Sequence, residues 1–197
     1  RFDDGEQNIL VLATDLRSRL NANFELFLRE RALEVSQAGI VITDAGSELI
    51  TYVNAGFHDT TGYTREEAIG RNCRFLQGDD TDPVSVQKIR QAIEARRSIR
   101  VTLKNYKKDG TEFWNDLSIT PVKNELGEVT HFIGCQFDVS DSREREQKAS
   151  ATARRIRLLL DSTAEGIIGV DANGHCTFCN QSAVRLLGYT SPDLLVG

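Results

Sequence analysis

The chain has 197 residues, is 40% hydrophobic and 27% charged, and carries a formal net charge of −5. That length suits one ordinary domain with extensions or two small ones, and the acidic balance argues against nucleic acid or an anionic membrane surface as a direct partner. No apolar run approaches a membrane span and no signal-peptide pattern is present, while four cysteines are too few for a disulfide framework and read as reduced cytosolic thiols.

Ile9, Leu12, Leu16, Leu20, Phe24, Phe27 and Leu28 recur at helical spacing, which predicts an amphipathic helix within residues 1–32. It would cover the outer face of a sheet or serve as a dimerisation helix. Ile40-Val41-Ile42-Thr43 and Ile50-Thr51-Tyr52-Val53 are β-branched runs around Asp44-Ala45-Gly46-Ser47, a hairpin pattern. Next comes Gly70-Arg71-Asn72-Cys73-Arg74-Phe75-Leu76-Gln77-Gly78. It sets a thiol between an amide and a guanidinium, with a second amide one helical turn later. Positions i and i+4 of a helix share a face, so Cys73 and Gln77 are expected to look into one pocket flanked by Asn72 and Arg74. A planar, polar ligand bearing a phosphate would satisfy all four.

From Asp82 to Arg100 the pattern is helical, with Val86, Ile89 and Ile93 at spacings of three and four. Strands are predicted over 99–107, 111–121 and 129–138, turning at Asp109-Gly110 and at Asn124–Gly127. Strands first, helices in the middle and strands last imply an α+β fold, a five-stranded antiparallel sheet with helices on one face. Residues 141–161 begin as a charged run. They then place Ala149, Thr152/Ala153, Ile156, Leu159/Leu160 and Thr163 near a heptad seam, suiting a signalling coiled coil, with a solvated linker helix as the alternative.

Alternate residues of a strand face one side. Val101, Leu103 and Asn105 therefore share a face, as do Phe113, Asn115, Leu117 and Ile119, and as do Phe132, Gly134 and Gln136. Three strands thus each offer one amide among apolar residues. Buried amides without partners cost a few kcal/mol each (about 1–3 in proteins), so three on one inner face require a common partner rich in donors and acceptors.

The chain also repeats itself. Gly39 and Gly166 lie 127 positions apart, as do Asp44 and Asp171. Tyr52-Val53-Asn54 matches Phe178-Cys179-Asn180, and Thr61-Gly62-Tyr63 matches Leu187-Gly188-Tyr189. This grammar of strand, turn, strand, Asn, helix and Gly-Tyr resembles a PAS domain. The expected layout is an amphipathic helix at 1–32, a complete module at 33–139, a helical linker at 140–156 and the opening half of a second module at 157–197. The missing methionine at position 1 and the stop at Gly197 suggest a segment of a longer protein.

The 70–78 nonapeptide, within a similarity that runs over about 38–140, resembles the signature of LOV domains, the flavin-binding, blue-light-sensing branch of the PAS superfamily. The resemblance implies FMN as cofactor and assigns roles residue by residue. Cys73 would add its sulfur to flavin carbon 4a after excitation, its proton passing to nitrogen 5. Arg74 and Arg90 match the phosphate-binding arginines, and Asn72 and Gln77 match contacts to the ribityl chain and phosphate. Asn105 and Asn115 match the amides on the pyrimidine edge. Gln136 matches the glutamine that responds at nitrogen 5, and Val41, Thr43, Leu117 and Phe132 match positions lining the ring. Asp138 or Ser140 is expected to cap the following helix. Implied partners are a homodimer mate through the flanking helices and an effector outside this segment, of the histidine kinase or diguanylate cyclase kind. The segment itself reads as no enzyme. The alternatives are a flavin redox sensor of PAS type without photochemistry and a purely structural dimerisation module. Cys176 and Cys179 read as structural, and no metal site is expected.

Overall fold

The computed structural model describes residues 24–191 apart from 26 and 29, together with 194 and 195. Contacts divide the chain into two compact units, residues 1–140 and 141–197. Most of the expected N-terminal amphipathic helix, including Ile9, Leu12, Leu16 and Leu20, lies outside the described residues. Its described part between 24 and 34 is helical and leaves Phe24, Phe27 and Leu28 exposed.

In the first unit, β1 (Gly39–Asp44) and β2 (Ile50–Val53) form the predicted hairpin, followed by α1 (Ala55–Thr61), α2 (Arg65–Ala68), a 3₁₀ turn (Cys73–Leu76) and α3 (Pro83–Glu94). The strands β3 (Ile99–Tyr106), β4 (Glu112–Lys123) and β5 (Val129–Asp138) complete an antiparallel sheet of order β2-β1-β5-β4-β3. Each helix starts at a cap that the sequence carries. Asn54, Thr64, Asn72 and Asp82 each accept a hydrogen bond from a backbone N–H of the turn they open, and Thr64 and Glu67 form a reciprocal capping box. Gly62, at φ 76°, takes the left-handed conformation that closes α1.

Two expectations are corrected here. The helix predicted over 82–100 ends at Glu94, because Arg96 turns to φ 53° and Arg97 N–H bonds back to the Ala92 carbonyl, a terminating geometry that hydrophobic spacing cannot reveal. The turn carrying Cys73 is 3₁₀ rather than α and stops at Leu76, leaving Gln77 extended at φ −86° and ψ 152°.

The apolar core (Val41, Ile50, Val53, Phe57, Ala68 and Leu76, with Cys73 and Phe75 packed on it) lies between β1, β2 and the helical segment. Asn54 anchors it from within. Its Nδ2 donates to the carbonyls of Leu33 (2.8 Å) and Ala38 (2.9 Å), and its Oδ1 accepts from the N–H groups of Ile40 (2.7 Å) and Phe57 (3.0 Å).

The second unit holds most of α4 (Ser140–Ser162), the two-stranded sheet β6 (Ile168–Val170) and β7 (Cys176–Cys179), and α5 (Gln181–Leu186). The helix thus runs past 156, the boundary expected for the linker. The same asparagine device recurs. Asn180 Nδ2 donates to Leu160 O (2.7 Å) and Glu165 O (2.9 Å), and its Oδ1 accepts from Ile167 N–H (2.8 Å) and Ala183 N–H (2.9 Å). Glu34 receives Ala55 N–H as Asp161 receives Gln181 N–H. The repeat seen from residue 38 onward therefore begins one helical turn earlier, at the end of the helix preceding each copy. Cys179 is part of the small core of this unit and Cys176 packs against it, with a bulge in the β6–β7 register between Gly169 and Val170.

Candidate functional site

The register of the sheet sets the site. Leu117 on β4 pairs with Gln136 on β5, and Asn115 pairs with Leu103 on β3. Asn105 and Gln136 are then the diagonal neighbours of Asn115, a separation that an amide side chain spans. Asn115 Nδ2 donates to Asn105 Oδ1 at 2.8 Å and to Gln136 Oε1 at 3.2 Å. The three residues are 4%, 1% and 3% exposed in the order Asn105, Asn115, Gln136, so what fills the space beside them decides whether their hydrogen bonding is complete.

These amides form one wall of a cavity of about 120 Å³, on a measure by which a single water needs ~10–15 Å³. Val41, Thr43, Leu117 and Phe132 line it from the sheet, and Asn72, Cys73, Arg74 and Gln77 from the 3₁₀ segment. Gly134 lies between Phe132 and Gln136 along the inner face of β5. A Cβ there would find nothing nearer than 3.8 Å, so the missing side chain leaves a flat floor.

One sequence-derived position falls elsewhere. Arg90 lines an adjoining open hollow with Thr81, Pro83 and Val86, and Gln77 is common to both spaces. The helix α3 turns Ile89 and Ile93 inward to the cavity, which sends Arg90 to its rim. The sequence reading also missed Glu48. Its Oε2 accepts from Asn72 Nδ2 at 3.2 Å and lies 3.6 Å from Arg74 Nη2. Only a contact across 24 positions reveals it, and a hairpin tip gives no periodic signal. Leu76, Leu103 and Ile119 complete the apolar lining.

Burial pushes the Cys73 thiol up to about 11, so the sulfur keeps its proton at neutral pH. No histidine lines the cavity among the described residues. Alkylation of Cys73 by a small thiol reagent is therefore expected to accelerate with a midpoint near pH 11, against about 8.5 for an ordinary thiol. Mass spectrometry of the labelled peptide over a pH series reads this directly. Above about pH 9 the unfolded chain releases the proton that the folded one retains, so this group's contribution declines as pH climbs towards 11.

The residues fit a flavin on one observation in particular: the buried Asn115 Oδ1 receives no hydrogen bond. An orphaned buried acceptor costs about 1–3 kcal/mol. A planar heterocycle with an alternating carbonyl, N–H, carbonyl edge offers the missing donor together with acceptors for neighbouring amide N–H groups.

Beyond the cavity, β5 runs into α4 through a tight junction. Val139 N–H donates to Trp114 O at 2.9 Å, and Trp114 N–H donates to Ser140 Oγ at 2.8 Å. Asp138 accepts from Ser140 N–H at 3.0 Å and pairs with Lys107 Nζ at 2.9 Å. Burial works to raise the Asp138 carboxyl, but Ser140 and Lys107 outweigh it and hold it below the usual carboxylate range. Of the two residues expected to cap α4, Asp138 makes the bond to the helix start, while the Ser140 hydroxyl turns back to β4.

Five antiparallel strands closing over one polar-walled cavity against a short helical segment define a PAS module. The PAS domain family matches residues 37–141, more than half of the chain, and the PAS fold matches residues 154–196. The blue-light-activated histidine kinase 1 of Erythrobacter litoralis is 47% identical over 121 residues, 61% of this chain and 33% of that protein. The blue-light photoreceptor of Listeria monocytogenes is 43% identical over 138 residues, 69% of this chain and 53% of that protein. A solved structure described as "Flavin Analogue Sheds Light on Light-Oxygen-Voltage Domain Mechanism" aligns with a TM-score of 0.55 at 38% identity, covering 63% of this chain and 93% of that one. The chain belongs to the PAS domain family, and its complete module is a LOV domain. The chain spans about half the length, or less, of these curated relatives.

Proposed function

We propose that residues 33–139 are a blue-light sensor that binds FMN and signals through α4. What supports this reading is a single arrangement: a neutral, half-buried thiol at Cys73 and an amide triad with an unmet acceptor at Asn115, on the walls of the same cavity. When bound, FMN would supply the blue absorption and a ring carbon to which the Cys73 sulfur adds reversibly in the light. The chain's own residues do the rest. Asn105, Asn115 and Gln136 orient the polar edge of the ring, Val41, Leu117 and Phe132 exclude water from its faces, and Asn72, Gln77, Arg74 and Arg90 face the ribityl and phosphate end. Cys73 arrives with its own proton, so no general base is required. Gln136 presents a donor and an acceptor on one amide and reports the change to the β5–α4 junction.

In the whole protein we place the linker at 140–156, with its helical continuation, and the start of a second PAS module at 157–197. A homodimer through the flanking helices and a histidine kinase or diguanylate cyclase effector complete the reading. The relatives named above as a blue-light-activated kinase and a blue-light photoreceptor support it.

The test is optical. The purified protein is expected to be yellow, to lose its blue absorption on illumination and to regain it in the dark, with FMN released on denaturation. A colourless protein, or a yellow one indifferent to light, overturns the proposal.

A further inference from the structure

Among the described residues, two that are not glycine have left-handed backbone, Glu48 at φ 59° and Arg96 at φ 53°. Both secure the same hairpin between β1 and β2. Arg96 Nη1 donates to the Ala45 carbonyl at 2.9 Å while its guanidinium sits 5.7 Å from the centre of the Phe132 ring, which fixes the base of the hairpin against the cavity wall. At the tip, Glu48 N–H bonds to Asp44 O at 2.9 Å, and its carboxylate reaches Asn72 and Arg74. Residues held in sparsely populated backbone regions cluster at functional sites, where the surrounding structure maintains them. Here the strained residue delivers an anion to the cavity rim.

That anion makes the two rim arginines unequal. Arg74 is already engaged: its Nε donates to Asn72 Oδ1 at 3.0 Å and its Nη2 lies 3.6 Å from Glu48 Oε2. Arg90 is exposed and has no hydrogen-bond or ion-pair partner among the described residues, and it shares Gln77 with the cavity through the adjoining hollow. A phosphate approaching Arg74 must displace the Glu48 carboxylate or share the guanidinium with it, and like charges a few ångströms apart repel. A phosphate at Arg90 meets no such competitor. We infer that Arg90 is the principal phosphate-binding cation and that Glu48 is a specificity-determining residue. By occupying Arg74 it narrows the preference for a phosphorylated flavin over its dephospho form. The inference rests on the flavin reading of the cavity.

The experiment is equilibrium binding of FMN and of riboflavin to the full chain at one ionic strength, with the affinity ratio taken within each variant. Taking the ratio cancels any loss at the ring end or in folding. Arg90→Ala is expected to lower the FMN-to-riboflavin ratio by about tenfold or more, as loss of a charge-assisted bond would. Arg74→Ala should lower it by less than about threefold. Glu48→Gln should raise it by about threefold to fivefold, the scale of an exposed ion pair, and Arg74→Ala should cost more in that background than in the parent. An Arg74→Ala effect equal to or larger than that of Arg90→Ala overturns the inference, and so does a Glu48→Gln ratio indistinguishable from the parent. A parent protein that binds neither flavin overturns the reading of the cavity itself, a result distinct from bound flavins with unmoved ratios.

Discussion

Replacement of Cys73 with alanine is expected to leave the protein yellow and to abolish its bleaching by blue light. Ligand retention would rest on groups the substitution does not touch: the Asn105–Asn115–Gln136 triad, the flat floor at Gly134 and the arginines at the rim. Cys73 offers the cavity one weakly polar sulfur, whose removal costs packing on the order of 1 kcal/mol against the core that it touches. The light response, in contrast, has no second thiol to fall back on. Cys135 neighbours Gln136 on β5 and so points from the opposite face of the sheet, while Cys176 and Cys179 belong to the other unit. No histidine, lysine or second cysteine lines the cavity among the described residues, so Cys73 is the one thiol there. Absorbance of both proteins through one light and dark cycle decides the matter. An alanine variant that bleached and recovered like the parent would remove Cys73 from the mechanism.

Much of this site was legible before any fold was known, and the reason is geometric. Strand side chains alternate by backbone necessity, so the inward set of Asn105, Asn115 and Gln136 follows once strands are placed, and their hydrogen bonding then follows from diagonal proximity. The nonapeptide at 70–78 was legible because its chemistry is contiguous. Features built from distant segments were not. Glu48 reaches Asn72 across 24 positions from a turn, and turn composition says only that the chain reverses. Arg90 sits sixteen residues from Arg74, and whether they share a wall depends on where α3 docks, which hydrophobic spacing does not set. The repeat of Asn54 in Asn180 was visible as a letter. Its function, bonding the end of the preceding helix to the start of the sheet, required the third dimension.

Gln136→Leu is expected to separate light detection from signalling, with bleaching and recovery intact and the response beyond the β5–α4 junction suppressed. The leucine fills the same inward position but has neither donor nor acceptor, so it cannot exchange one for the other when the cavity's hydrogen-bond demand changes. Two short routes leave this amide. Along β5 it stands two residues from Asp138, which holds the first N–H of α4 and the Lys107 ammonium. Across the sheet it bonds Asn115, whose neighbour Trp114 is bonded to both Val139 and Ser140. Rotation of one side-chain amide thus bears on the three hydrogen bonds that fix the start of the helix. A coupling free energy of about 1–3 kcal/mol, within reach of one exchanged hydrogen bond and a re-set helix start, shifts an output equilibrium roughly 5- to 150-fold. With leucine the light-to-dark ratio should fall towards one. Hydrogen exchange at residues 138–145 in dark and illuminated protein gives a readout that needs no knowledge of the effector. The parent should show a light-dependent difference there, and the leucine variant should not. Persistence of the parental difference in the leucine variant would mean that the signal leaves the cavity by another path.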